Sequence, residues 1–113
     1  MQMMSSSDQA FLAKVSAVIE THLGEEQFSV ADLSHKLGMS RVQLHRKLHA
    51  LEQPSASALL RAARLQRAAL LLKQTRLAIT EVAYRAGFRS AAYFAQCFRE
   101  DYGMTPSQWR RKL

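Results

Sequence analysis

Apolar residues recur at steps of three and four over most of the chain, which is the spacing of amphipathic α-helices. The first such stretch follows Ser7 or Asp8, either of which could cap a helix, and it ends at Gly24. Its apolar positions are Phe11, Leu12, Val15, Val18, Ile19 and Leu23. The pattern predicts a first helix with one face turned towards a core.

Two short helices are predicted next, on either side of a glycine. Ser29 and Asp32 form a capping-box pattern that begins one helix, which ends at Gly38. Ser40 and Gln43 form a second capping box two residues later. The helix that this box opens has an apolar face of Leu44, Leu48 and Leu51. Two amphipathic helices joined by a sharp, glycine-containing turn are typical of a helix-turn-helix.

A longer helix is predicted after Pro54, which breaks the preceding one. Ser55 or Ser57 begins it, and apolar residues continue to about Lys73. From Ser57 to Lys73 such a helix would be about 25 Å long. It is long enough to act as a stiff linker.

The helix-turn-helix pattern then repeats. Val30–Gly38 aligns with Ile79–Gly87 at an offset of 49 residues, with the apolar positions, the acidic third position and the glycine in register. After one inserted residue the matched pairs are Ser40 with Ser90, Leu44 with Phe94, Leu48 with Phe98, Ser55 with Thr105, and Arg61 with Arg111. Thr105, Pro106 and Gln108 then form a capping box for a last helix.

The sequence thus predicts an all-α fold of about seven helices, in which two helix-turn-helix subdomains are joined by a long linker helix. We expect a disordered leader over residues 1–7 and a first subdomain over residues 8–54. The linker helix is predicted over residues 55–75, and the second subdomain over residues 76–113.

The charge distribution points to a polyanionic partner. The 113 residues carry a net charge of +7, but residues 1–35 carry −4 and residues 36–113 carry +11. Eleven of the 16 basic residues are arginine, whose planar guanidinium suits phosphates and guanine edges. The alternative is a positive surface that serves only solubility.

Other classes of function have weaker support. Cys97 lies between Phe94 and Phe98 on an apolar face, where a buried thiol is favoured over a nucleophile. His45 and His49 have a metal-ligand spacing but no third ligand nearby. We therefore predict no enzyme, no metal site and no cofactor. A basic helical adaptor for membranes or proteins remains an alternative, but it does not explain the duplication.

The residues also predict a location. One cysteine fits a reducing compartment, and the longest apolar run, Ala68–Leu72, is too short to span a bilayer. Residues 1–7 lack the basic start and apolar stretch of a secretion signal. We expect a cytoplasmic protein without a membrane partner.

The duplicated unit resembles the DNA-binding domain of the AraC/XylS family of bacterial transcription regulators over about residues 8–113. The most specific part is Ile79–Ser90, followed by Tyr93-Phe94, Phe98-Arg99, Gly103 and Thr105-Pro106, with Arg64–Ala68 and Leu71-Leu72 on the linker. Leu37–Leu48 also resembles effector domains at the end of hybrid two-component regulators.

Three positions depart from the family pattern. Gln96 stands where many members carry a basic residue, so a guanine or phosphate contact there is either lost or replaced by an amide contact to adenine. Gln53 replaces a usual helix-ending glycine, and Ala78 replaces a polar cap. Each of the last two changes would cost about 1 kcal/mol if nothing compensates for it.

Helical periodicity and the resemblance together predict which side chains meet DNA. The predicted base-contacting residues are Val42, His45, Arg46, Ala92 and Gln96. The predicted backbone-contacting residues are Ser40, Arg41, His49, Arg61, Arg64, Arg89, Ser90, Arg99, Arg110 and Arg111. We leave Gln43 out because its position in a capping box favours a structural role over adenine contact.

The resemblance also implies partners. We expect double-stranded DNA, RNA polymerase, and a sensing or receiver domain in the full-length protein. Two recognition helices in successive major-groove segments would lie about 34 Å apart on the duplex. Because both lie in one chain, we expect this piece to be a monomer.

Overall fold

The computed structural model describes residues 3–112, and within that range it contains seven α-helices and no strand. The helices are α1 (Ser6–His22), α2 (Val30–Lys36), α3 (Arg41–Ala50), α4 (Ala56–Gln74), α5 (Ile79–Arg85), α6 (Ala91–Tyr102) and α7 (Pro106–Arg111). The predicted all-α fold with two helix-turn-helix units is confirmed.

The first helix begins inside the segment predicted as a leader. The hydroxyl of Ser5 accepts from the Asp8 N–H at 3.1 Å, and the Asp8 carboxylate accepts from the Ser5 N–H at 3.3 Å. This reciprocal pair makes Ser5 the cap, in place of the predicted Ser7 or Asp8, because it satisfies two backbone donors at once. Residues 1 and 2 of the predicted leader lie outside the described range.

The contacts divide the chain at other places than the predicted boundaries. One compact unit consists of the residues up to His22 together with Phe28–Arg61, and the other of Leu23–Gln27 together with the chain from Ala62 onward. The division falls within α4 because this helix buries side chains in both units, Leu60 in the first and Leu65 in the second. The predicted linker is therefore part of both cores.

The core of the first unit is mainly aliphatic. Helix α2 contacts both α1 and α3. The buried side chains include Val15, Leu33, Leu44 and Leu48, each at most 2% exposed. Burial of each such side chain contributes about 1.5–3 kcal/mol, so this cluster fixes the orientation of α3.

The core of the second unit is aromatic. The rings of Phe94 and Phe98 lie 5.6 Å apart, and Phe98 stacks on Tyr102 at 4.4 Å. Trp109 meets Tyr102 edge-on at 5.2 Å and donates its indole N–H to the carbonyl of Ala69 at 3.1 Å. Cys97 is buried in the same cluster, as the sequence predicts. These contacts hold α4, α6 and α7 together.

The duplicated sequence folds into a duplicated turn. After α2, Gly38 has a φ of 71° and the Met39 N–H donates to the carbonyl of Ser34. After α5, Gly87 has a φ of 96° and the Phe88 N–H donates to the carbonyl of Ala83. Each turn is a Schellman-type helix end, which needs a left-handed residue and therefore favours glycine.

The helix caps of the two copies differ as the sequence predicts. Ser29 and Asp32 form a complete capping box at α2, whereas Ala78 gives α5 no side-chain cap. The hydrogen bonds from the backbone and hydroxyl of Ser29 lower the pKa of the Asp32 carboxyl. The first copy therefore has the better-capped entry into its turn.

The end of α3 differs from expectation by one residue. Glu52, not Gln53, takes the left-handed conformation, with a φ of 57°. The Gln53 N–H donates to the carbonyl of Leu48 at 2.9 Å, so the chain makes a Schellman-type end without glycine. A left-handed non-glycine residue costs about 1–2 kcal/mol.

The turn at Gly87 should tolerate no side chain. A Cβ there would overlap the carbonyl of Leu23 and lie 2.7 Å from the Arg64 Nε, whereas one at Gly38 would meet nothing within 4 Å. We expect Gly38→Ala to lower the free energy of unfolding by about 1–2 kcal/mol. Gly87→Ala should lower the free energy of unfolding by about 1–3 kcal/mol more than Gly38→Ala does, because of steric overlap. Urea denaturation of both variants measures this, and equal losses would contradict the role of the close approach.

Candidate nucleic-acid interface

Helix α3 presents one face of basic and apolar side chains to solvent. Leu44 and Leu48 are buried, so the helical step turns the opposite face outward. The exposed residues of that face are Arg41, Val42, His45, Arg46 and His49. Val42 is 57% exposed and places an apolar side chain among the basic ones of this face. The structure thus places all five predicted contact residues of this helix on one surface.

The start of α3 is held by Ser40 and Gln43. The Gln43 side-chain carbonyl accepts from the Ser40 N–H at 2.8 Å, and the Ser40 hydroxyl accepts from the Gln43 N–H at 3.1 Å. This confirms the structural interpretation of Gln43. It also fixes the backbone that carries Arg41 and Val42, which are the first two residues of α3.

An open groove of about 700 Å³ runs beside this face. Its lining combines Val30 of α2 with Arg41, Val42, His45 and Arg46 of α3, and with Ser55, Ala56 and Ser57 at the start of α4. The start of α4 is the part of this surface that the sequence analysis missed. Its serines indicate a helix start, but only the packing brings that helix end beside α3.

Three side chains of α3 also make contacts within the protein. The imidazole rings of His45 and His49 stack with centroids 6.3 Å apart. Over residues 3–112 no group of three or more histidine, cysteine or acidic side chains is arranged to hold a metal. The Lys47 ammonium lies 4.3 Å from the centroid of the Phe11 ring, which turns this cation towards α1.

Helix α6 presents a more mixed face. Phe94, Cys97 and Phe98 are buried. The exposed residues of the helix include Ala92, Gln96 and Arg99, as predicted, together with Glu100 and Asp101. Tyr93 is half exposed and its ring tilts against Phe88 at 6.2 Å, so it packs at the edge of the core. Ser90 caps the helix by accepting from the Tyr93 N–H.

Gln96 is tied to an acidic neighbour. Its side-chain Nε2 donates to the Glu100 Oε1 at 3.2 Å, one helical turn away. The spacing of four residues between Gln96 and Glu100 is the signal in the sequence that predicts such a bond.

Two of the predicted backbone-contacting residues, Arg64 and Arg110, have hydrogen-bond partners within the protein. Arg64 donates from Nε to the carbonyl of Leu23 at 3.1 Å and from Nη2 to the carbonyl of Glu25 at 3.0 Å. Partial burial, together with the charge of Arg89, lowers the pKa of the Arg64 guanidinium. Arg110 donates to the carbonyls of Leu72 and Thr75, at the end of α4. Both side chains thus satisfy carbonyls that have no partner within a helix.

The remaining predicted contacts lie at the surface. Arg89 precedes α6, Arg111 ends α7, and Arg61 of α4 is half buried. Arg85 of α5 forms an ion pair with Glu81 at 2.9 Å, a surface pair that contributes little to stability. The exposed guanidiniums keep the strongly basic character of residues 36–113 at the surface.

We expect substitution of Arg64 to affect stability and substitution of Arg41 to affect DNA binding. Arg64→Met removes two charge-assisted hydrogen bonds, and we expect it to lower the free energy of unfolding by about 1–3 kcal/mol. Arg41→Met, at an exposed position, should leave unfolding unchanged. It should instead reduce by about one the slope of log affinity for DNA against log salt. Urea denaturation and binding titrations at several salt concentrations test this; a reduced salt slope with unchanged stability for Arg64→Met would contradict it.

None of the helices that the structure describes has both the length and the apolar character needed to cross a bilayer.

The sequence matches a known family and several regulators. The family described as "Helix-turn-helix domain" matches residues 33–112. The HTH-type transcriptional regulator GbdR of Pseudomonas aeruginosa is 36% identical over 108 residues, which are 96% of this chain and 29% of GbdR. Histidine kinase P4 of Formosa agariphila is 35% identical over 108 residues, 96% of this chain and 8% of the kinase. The chain therefore spans less than a third of the length of these relatives.

Solved structures show the same fold. The C-terminal domain of the two-component response regulator YesN from Fusobacterium nucleatum superposes with a TM-score of 0.82 at 30% identity, covering 88% of this chain and 97% of that one. The DNA-binding domain of AdpA, solved in complex with a target DNA, has a TM-score of 0.80 at 34% identity and covers 88% of both chains.

Proposed function

The chain belongs to the AraC/XylS family of transcription regulators, as a DNA-binding domain of that family, and from this we infer that it reads one DNA duplex with two recognition helices. The observation that carries this proposal is the repeated turn. The same glycine end of the first helix leads in both copies to a serine-capped second helix with an outward face, α3 and α6. Such a second helix is the element that enters a major groove.

Helix α3 supplies the base contacts in the first groove segment. Arg46 suits a bidentate contact to guanine or a phosphate contact, and His45 suits a base edge. Val42 suits the methyl group of thymine, which also explains its exposed apolar side chain. Each good base contact discriminates by about 1–3 kcal/mol.

The backbone contacts come from exposed groups around both helices. Ser40 and Ser90 lie at helix N-termini, where backbone N–H groups attract phosphate. The surface side chains that we assign to phosphates are Arg41, His49, Arg61, Arg89, Arg99 and Arg111. If 6–8 phosphates are neutralised in all, log affinity falls against log salt with a slope of about −5 to −7.

The proposed binding mode predicts a non-palindromic site. We propose that α3 and α6 occupy major-groove segments about 34 Å apart, so that one monomer covers both half-sites. Sedimentation of the free chain and of its DNA complex should give one chain per duplex. A tight dimer in the absence of DNA would contradict this part of the proposal.

The function of the whole protein is a further step of the same proposal. We propose that a sensing or receiver domain controls this domain in the full-length protein, which acts in the cytoplasm and contacts RNA polymerase. The response-regulator domain among its structural neighbours supports a receiver. The domain itself acts by binding and not by catalysis.

Selection of bound sequences from a random duplex pool, at near-physiological salt, tests the proposal. We expect two short blocks of base preference about one helical turn apart. One block alone would contradict reading by both helices. Binding without any enrichment, lost as salt rises, would reduce the domain to a non-specific polyanion binder.

Arg46→Ala should change the first block alone. We expect a loss of about 1–3 kcal/mol for the selected duplex and a relaxed preference at one base pair, with the second block intact. Lys36→Ala is the matched control, because Lys36 is an exposed cation of the same unit that belongs to α2 and not to α3. Competition binding with single-base variants of the site measures both effects, and an equal change of preference in the two variants would contradict the role of Arg46.

A further inference from the structure

The bond between Gln96 and Glu100 has a chemical direction. A carboxylate only accepts hydrogen bonds, so it is the amide nitrogen of Gln96 that faces Glu100, in keeping with the 3.2 Å distance from Nε2 to Oε1. Both residues are exposed on α6, four positions apart on one helix face. Glu100 therefore determines which way the amide plane of Gln96 is turned.

One edge of the amide stays outside this bond. Nε2 carries two hydrogens, and Glu100 takes one of them. The inference requires that Glu100 takes the hydrogen trans to Oε1, because the cis hydrogen and the acceptor Oε1 then lie side by side on the edge of the amide that Glu100 does not use. Adenine offers the complementary pair in the major groove, an acceptor at N7 and a donor at N6.

We propose that Glu100 is a positioning residue for base recognition, which holds the Gln96 amide in the orientation that reads adenine. The inference rests on the proposed function, in that α6 must read bases. It commits the second recognition helix to a preference for an adenine at one base pair. Glu100 itself makes no contact with that base.

The same carboxylate opposes binding in general. Glu100 and Asp101 put two negative charges on a helix that approaches phosphates, beside a single cation, Arg99. Removal of either charge should strengthen binding to every DNA sequence at low salt. Only removal of Glu100 should also release Gln96. The effect of the charge on overall affinity and the effect of positioning on base preference can thus be measured separately.

Three variants separate these effects. Glu100→Gln removes the charge and keeps a side-chain oxygen that can accept from Gln96. Glu100→Ala removes both the charge and the acceptor. Asp101→Asn is the matched control, since Asp101 is the exposed neighbouring carboxylate and the bond of Gln96 is to Glu100. Because all three changes lie on the surface, thermal melting should show the fold intact in each.

The experiment is competition binding with duplexes that differ only at the base pairs of the second selected block. We expect Glu100→Ala to reduce the preference for adenine about 2–10-fold, the loss typical of one hydrogen bond. Glu100→Gln and Asp101→Asn should keep the wild-type preference, and all three variants should bind more tightly at low salt. In a Gln96→Ala background, Glu100→Ala should still tighten binding but change no base preference.

Two results would overturn the inference while leaving the proposed function in place. One is an adenine preference that survives Glu100→Ala. The other is a preference that Glu100→Gln lowers as much as Glu100→Ala does. A second block that prefers a base other than adenine would also overturn it. A wild-type domain with no preference in the second block would instead contradict reading by α6, and with it this inference.

Discussion

The close approach of the Gly87 turn to the carbonyl of Leu23 is the constraint on which the second unit depends. The Leu23 carbonyl accepts from Arg64 at 3.1 Å, and a side chain at Gly87 would enter the same space. Gly87 therefore serves two purposes. It adopts the left-handed conformation that ends α5, and because it has no Cβ, the backbone at Leu23 can lie against it. The start of α6 follows three residues later, at Ser90, so the direction of its outward face depends on this contact.

The two copies use similar backbones for different surfaces. In the first copy, Gln43 near the start of α3 belongs to a capping box, and the outward face of that helix carries arginine and histidine. In the second, the glutamine lies in mid-helix and is bonded to a carboxylate. A cationic face gains affinity from the phosphates whatever the sequence, whereas a face with acidic residues gains less affinity and depends more on base contacts. The duplication thus provides two recognition helices, of which α3 gains more from general attraction to phosphates and α6 depends more on contacts to bases.

Much of the fold was predictable because its signals are local. Capping boxes at Ser29, Ser40 and Thr105 and the glycines at the two turns act through residues at most four positions apart, and the structure has them where the sequence predicts them. The predicted cap of α1 and the predicted end of α3 were wrong because a neighbouring residue could take the same structural role. Ser5 could cap α1 because Asp8 reciprocates, and Glu52 took the left-handed position because the bond to the Leu48 carbonyl compensates part of its strain.

The sequence by itself determined the helices, their duplicated order, the face of each that is buried and the strong positive charge, since these follow from periodicity and composition. Only the tertiary structure decided which cations are already engaged. Arg64 and Arg67 look alike in sequence, three residues apart on one helix, yet Arg64 is half buried against the carbonyls of Leu23 and Glu25 while Arg67 is exposed. Only the packing, likewise, brings Ser55–Ser57 beside the α3 face. A hydrogen bond or a groove between residues far apart in the chain depends on distances of a few ångströms, and these are set by how the helices pack and not by the order of their residues.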